Sequence, residues 1–348
     1  MSSTSALPFL TARPRISING SLRASLEEAL LEMQIHLPQF GMSRAELRLL
    51  NWRPTSGGQP DFLSQDISLG SRIEITLGEN GSTAFSGEIT AIEERYGDGA
   101  PQLVLLAEDI LHRLARQRHS RVFEAMSLDD VIRQIAGDAG LSCDINVSSG
   151  NGTWIQNNES NLAFLMRLLT PYDVCLRLQD GQLRVRDHEP DPSPVTINPG
   201  NAPNIRIIAD LNHLPAKVSV NGYNLESDSE ARSSESSIAP APTGQTGVSL
   251  LAELCWEGDS TLPHPFARSQ QESETLAGRQ FRQRSGRFLS GEIVYGGTSD
   301  LRCGGEVQLN NVSPRLAGRY RVMACRHSYD MAEGLRTRIR VQRPDWSV

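Results

Sequence analysis

The chain has 348 residues, 34 Lys plus Arg against 41 Asp plus Glu, and a formal net charge of −7. That length exceeds one small core and leaves room for two or three domains, while the negative balance argues against a general grip on nucleic acid. There is no run of about 18 apolar residues, so no stable membrane association is expected; no charged n-region with an apolar h-region and cleavage site appears at the start, so no secretory signal is expected.

The cysteines (Cys143, Cys175, Cys255, Cys303, Cys325) form no CxxC pair. They are expected to be reduced thiols in a chain made in a cytoplasm. Lys217 is the only lysine beside arginines throughout. Codon usage in a GC-rich genome is the simpler explanation, although the planar guanidinium also suits interfaces.

In chain order, residues 1–14 read as an irregular arm and Arg15 to Asn19 as a strand. Ser25 to Ile35 fits either a helix or a bent β-segment. Glu46 to Asn51 reads as a strand, 53–66 as a Gly/Pro/Ser loop, and Ala107 to Arg118 as a short basic helix or turn. Ser127 is a good N-cap, with Asp129 and Asp130 in the first turn, Val131, Ile132, Ile135 and Ala136 on one apolar face, and Gly140 at the end. Ser160 caps a second helix carrying Leu162, Phe164, Leu165, Leu168 and Leu169, with Pro171 past its end. Gln179-Asp180-Gly181 between two short apolar strands signals a hairpin. Residues 121–190 thus read as helix, helix, hairpin, and an acidic, Pro-rich exit follows at Asp187 to Pro194.

Ile205 to Ile208 and Val218 to Val220 read as strands. The segment 225–247 is rich in Ser, Ala, Pro and Glu, a composition that predicts a flexible loop. Gln270 to Arg287 reads as a helix and Phe288 to Val294 as a strand.

Two distant segments, Leu69 to Leu106 and Leu301 to Val341, repeat one pattern. In each, a glycine precedes an alternating strand (Gly70 before Ile73, Ile75 and Leu77; Gly305 before Val307 and Leu309). A second glycine precedes another alternating strand (Gly87 with Ile89 and Ile92; Gly318 with Tyr320 and Val322), and a third strand follows. Gly70, Gly87, Gly305 and Gly318 are therefore the expected structural turn glycines, with Gly87 and Gly318 in matching places. The expected fold is mainly β: two related antiparallel β-barrels flanking a small α/β domain. The expected divisions are 1–120 (arm and first barrel), 121–195 (α/β insert) and 196–348 (second barrel with a flexible loop at 225–247).

No catalytic, cofactor-binding or metal site is expected. The sequence has no GxSxG, HExxH, Walker loop or GxGxxG before a helix. Asp187-His188-Glu189 in an extended segment would point to alternate faces. His112 and His119 lack a ligand set and suit a solvated helix face; His264 sits between two prolines in a rigid loop. The basic stretch Arg113 to Arg121 suits an interface or a solvated helix better than contact with DNA.

The order of three segments carries a resemblance. They are the helix and hairpin of NNESNLAFLMRLLTPYDVCLRLQDGQLRVR, the strand AKVSVNGYNLES, and LAGRQFRQRSGRFLSGEIVYGG through GRYRVMACRHSYD. From about residue 15 onward the chain resembles the phage late control D family of tail hub proteins, related to the N-terminal part of the VgrG spikes. The resemblance implies a structural role in a virion tail, baseplate or injection particle, without enzymatic activity. It implies a homotrimer whose six barrels form a pseudo-sixfold ring, joining a sixfold tail tube to a threefold spike. Expected partners are a tail tube or tube-initiator protein, a separate spike protein, since the chain stops at Val348, and baseplate wedge proteins. DNA or payload would meet it only in passage. His327, on a strand that matches the family's, is expected to make a structural hydrogen bond. The rivals are a tail-associated cell-wall hydrolase acting through 121–190, which has no His or Ser in an elbow setting, and a soluble carbohydrate-binding β-protein, for which aromatics are few.

Overall fold

The computed structural model describes residues 13–52, 61–77, 82–147, 149–225, 227–256, 258–296 and 298–347. The first part contains β1 (Arg15–Ile18), β2 (Ser21–Leu22), α1 (Ala24–Ala29), β3 (Leu30–Pro38), β4 (Arg44–Leu50), β5 (Arg72–Leu77), β6 (Ser82–Arg95) and β7 (Gln102–Glu108). The ambiguous stretch Ser25 to Ile35 is both things expected of it, a short helix running straight into a strand. The arm, through residue 12, and most of the 53–66 loop fall outside the described residues.

The middle contains α2 (His112–Arg116), β8 (Arg118–Met126), α3 (Leu128–Asp138), β9 (Cys143–Asn146), β10 (Gly152–Ser160), α4 (Asn161–Leu169), β11 (Cys175–Gln179) and β12 (Gln182–Arg186). The local signals hold. Ser127 and Asp130 form a reciprocal capping box on α3, and the Ser160 side chain accepts from the Ala163 N–H on α4. Asp180 (φ 50°) and Gly181 (φ 77°) both take the left-handed conformation that a two-residue primed turn demands. The expected helices and hairpin are joined by the β8–β10 ladder and by β9, which pairs in parallel with β12.

The remainder contains β13 (Val195–Ile197), β14 (Asn204–Ala209), β15 (Lys217–Asn224), β16 (Ser229–Glu235), β17 (Gln245–Thr246), α5 (Gly247–Glu253), β18 (Asp259–Ala267), α6 (Gln270–Ser285), β19 (Leu289–Gly296), β20 (Glu306–Leu309), β21 (Gly318–Asp330), β22 (Gly334–Arg343) and β23 (Asp345–Trp346). The fold is mainly β with an α+β insert. Among the described residues no helix is long and apolar enough to cross a membrane.

The two repeated segments are antiparallel meanders, β5–β6–β7 and β20–β21–β22, and the likeness extends beyond them. The first unit runs β1-β5-β6-β7-β4-β3 across the sheet; the second runs β13-β20-β21-β22-β19-β14. Numbered within each unit, the strand order is the same. One direction differs: β1 is antiparallel to β5, whereas β13 is parallel to β20. The expected barrels are two curled units of one 13-stranded sheet, joined where β3 pairs with the second half of β21. Each unit wraps its own core, one built on Ile16, Met33, Leu47, Ile75 and Leu105, the other on Phe288, Ile293, Val307, Tyr320 and Ile339; Leu37 packs against both. Full burial of each such side chain contributes roughly 1.5–3 kcal/mol.

Bulges fix the internal alignment. The β6–β7 register shifts between Ile89 and Ala91, and the β21–β22 register between Val322 and Ala324. Ile89 thus corresponds to Val322, and counting along the strands pairs Gly87 with Tyr320 and Phe85 with Gly318. This corrects the expected match of Gly87 with Gly318. Gly70 (φ +80°) corresponds to Gly304 (φ +77°), so the second unit's turn glycine is Gly304 and Gly305 takes the place of Ser71. Gly87 answers a different need: a Cβ there would strike the Glu108 carbonyl on β7. Gly318 (φ +145°) lies against the Arg343 guanidinium.

The third core joins the insert to part of the chain expected to belong with the second barrel. Val131, Ile135, Phe164, Leu165 and Leu183 pack with Val220, Ala231, Ala267, Leu276 and Ala277. The flexible loop expected at 225–247 is also corrected. Within it, β16 pairs with β15 along its whole length, from Val218–Glu235 to Asn224–Ser229, and buries Ala231. Successive side chains of a strand point to opposite faces, and along β16 only Ala231 is buried.

Candidate assembly surface

Arginines knit the insert to the second unit. Asp173, at the end of the turn after α4, is 3% exposed and accepts from Arg282 of α6 (3.3 Å) and Arg321 of β21 (3.4 Å). Asp187 takes Arg282 (3.1 Å) and Arg279. His188 Nε2 lies 3.0 Å from the Glu306 carboxylate. Burial pushes the Glu306 carboxyl up, but the hydrogen bonds from His188 and the Asp191 backbone N–H, with the nearby charges, hold it below its ordinary value. Arg177 of β11 donates to the Cys303 carbonyl. The triplet Asp187-His188-Glu189 diverges onto separate partners, Glu189 meeting Arg184 and Arg186.

His112 is not on a solvated face as expected; it is buried, 2.8 Å from Glu88. Arg113 also binds Glu88, so α2 is pinned to β6. Helix α2 stops at Arg116, which places His119 on β8 opposite Glu159 and splits the basic stretch between a helix and a strand. His264 is an exposed ring edge-on to Phe266. His327 is buried with Nδ1 2.9 Å from the Thr337 hydroxyl, and burial lowers its pKa to about 4.

A cavity of about 420 Å³ lies where the three cores meet, lined among others by Ser43, Glu74, Asp109, Arg177, Arg302 and His327. Burial raises Asp109 to about 6, but its oxygens accept from the backbone N–H groups of Ser43 (2.7 Å) and Leu111 (3.0 Å). Burial also pushes Cys303 up to about 12 and raises Cys325, so neither supplies a thiolate at neutral pH. The cavity thus contains no activated nucleophile–base pair among these groups. Among the described residues no three His, Cys, Asp or Glu side chains gather as a metal site.

What the molecule does present is strand edge. Among the described residues, β14 pairs only with β19, and the segment 91–95 of β6 pairs only with β7. Beside β14 runs a groove of about 580 Å³, lined by Ile205, Ile207, Leu309, Val312 and Leu316. Ile208 on β14 and Tyr96 just past β6 are 44% and 63% exposed. Sequence reasoning missed both edges, because the edge of a strand is fixed by its neighbours and not by its own alternation.

The fold is that of phage tail proteins. The 43 kDa tail protein of prophage MuSo2 from Shewanella oneidensis superposes with a TM-score of 0.71 at 14% identity, over 96% of this chain and 98% of that one. The tail protein from Neisseria meningitidis MC58 gives 0.68 at 15% identity, over 97% and 99%. An Escherichia coli protein, c3393, described as a component of the type VI secretion system with structural similarity to the T4 tail proteins gp27 and gp5, gives 0.56 at 12% identity, over 94% and 76%. No curated protein matches the chain. The family model described as the Alg8 N-terminal domain matches residues 13–330, and the chain belongs to that family.

Proposed function

We propose that this chain is the structural hub of a contractile tail or tail-like injection particle, of the late control D kind. Three copies form a ring of six β-units around an axial channel. One face of the ring meets a sixfold tail tube and the other a threefold spike; wedge proteins flank it, and DNA or payload only passes through. The particle assembles in the bacterial cytoplasm, and the chain performs no catalysis.

The observation that carries this proposal is the repeated strand order β1-β5-β6-β7-β4-β3 and β13-β20-β21-β22-β19-β14. Two units of one topology, presented side by side in each chain, let three chains offer six near-equivalent surfaces. The tail proteins that share this fold over nearly their whole length support the same proposal. The arginine–carboxylate seam, which locks the insert to the second unit, suits a part that transmits force more than one that opens around a substrate. Imaging of the assembled particle tests the proposal: density for three copies on the tail axis is expected.

A further inference from the structure

Within the chain, β3 of the first unit pairs with residues 324–330 of β21 in the second. The alignment of the two units gives each partner a counterpart. Leu105 corresponds to Ile339, since they face Ile92 and Cys325 on the matched strands. Leu105 faces Leu47, which faces Met33; Ile339 faces Ile293, which faces Ile205. Strand β14 is therefore the counterpart of β3, with Ile205, Ile207 and Ala209 in the places of Met33, Ile35 and Leu37. The second half of β6 is the counterpart of the paired half of β21, with Ile92, Glu94 and Tyr96 in the places of Cys325, His327 and Tyr329. Both counterparts are the edges that lack a partner among the described residues.

We propose that β14 of one copy pairs antiparallel with residues 91–96 of the next copy, the second half of β6 and Tyr96 just past it, repeating between chains the β3–β21 ladder within each. The inferred register sets Ala209 opposite Ile92, Ile207 opposite Glu94 and Ile205 opposite Tyr96. The proposal rests on the hub assignment and names the contact that closes its ring.

A second observation points to the same partner. Tyr329 belongs to β21 yet is buried in the first unit's core. Its counterpart is also a tyrosine, and Tyr96 is exposed, its hydroxyl bound to Glu94 and its ring edge-on to Phe62. The groove beside β14 is where the ring of Tyr96 from a neighbouring copy would enter, against Ile205, Ile207 and Leu309. The contact is heterologous, edge to a different edge, so it either closes as a ring or propagates.

The test uses the chain in its assembled particle. An I92C/A209C double variant in a C255S background, oxidised after assembly, is expected to run as disulfide-linked dimers and trimers on a non-reducing gel, while either single variant stays monomeric. Tyr96→Ala is expected to lower incorporation into particles at least tenfold and to leave the melting temperature of the isolated chain unchanged. A three-copy ring in which the double variant does not cross-link, or in which Y96A assembles normally, overturns the inferred ladder and leaves the hub assignment standing. Particles without a ring of this chain overturn both.

Discussion

Ile89 and Val322 occupy one position in two copies of the same device. The Ile89 carbonyl accepts from the Gly70 N–H and its own N–H donates to the Ser71 carbonyl; Val322 does the same with Gly304 and Gly305. Each sits immediately before the bulge that bends its strand. The pair fixes the internal alignment residue by residue, and several expectations depend on it.

The two turn glycines should differ in tolerance. Gly70→Ala places a side chain in the left-handed region with nothing within 4 Å, so a loss of about 1 kcal/mol is expected. Gly304→Ala incurs the same strain, and its Cβ also meets the Arg177 guanidinium that bridges insert and second unit. A larger loss is expected, and urea unfolding of the two variants measures the difference.

Gly87→Ala should be worse than Gly70→Ala although Gly87 has no positive φ. The obstacle is the Glu108 backbone carbonyl in the adjacent strand, which cannot rotate away. Separation of the β6–β7 ladder is expected to cost about 2 kcal/mol or more, in the range of overpacked sites, read as a lower midpoint in chemical denaturation.

The slip of Gly87 against Gly318 shows where sequence stops short. The two glycines are displaced by two residues, and a shift of two preserves which side chains face the core. Both alignments satisfy the alternation of Ile73, Ile75, Val307 and Leu309, so only the bulges decide. The capping box at Ser127 and the turn at Asp180-Gly181 were legible because their chemistry is local. Strand β16 was not, because Ser and Glu carry no apolar signal and its ladder partner is fixed by tertiary pairing. The Asp173 seam was invisible too, since Arg282 and Arg321 are remote in sequence.

Asp173→Ala should be severe. It leaves Arg282 and Arg321 without their shared buried carboxylate, and a loss of about 3–5 kcal/mol is expected. The double variant with Arg321→Met should recover part of that loss, which a thermodynamic cycle measures.

Strand β16, within segment 225–247, should be needed for the fold. Removing Ser229–Glu235 strips β15 of its ladder and uncovers the Ala231 side of the third core. A drop of more than about 2 kcal/mol is expected, large for a surface change, and calorimetry of the deletion variant against the parent checks it.

Two buried groups pull stability in opposite directions below neutral pH. His327 has a folded pKa of about 4, against 6.5 for the ordinary side chain, so the unfolded chain binds the extra proton and stability falls as pH drops from 6.5 towards 4. Asp109 has a folded pKa of about 6, against 3.8, so the folded chain holds the extra proton and stability rises as pH drops from 6 towards 3.8. Each pKa unit corresponds to about 1.4 kcal/mol. His327→Gln should therefore make the protein gain stability on acidification over this window, and Asp109→Asn should steepen its loss. Melting temperatures at pH 4, 5, 6 and 7 read both slopes.

The central claim concerns place and number. Cryo-electron microscopy of the assembled particle, with the axial density resolved well enough to count subunits, tests it most directly. The account predicts three copies of this chain on the tail axis, their six β-units forming one ring between tube and spike. A copy number other than three, or a position away from the axis, would contradict it.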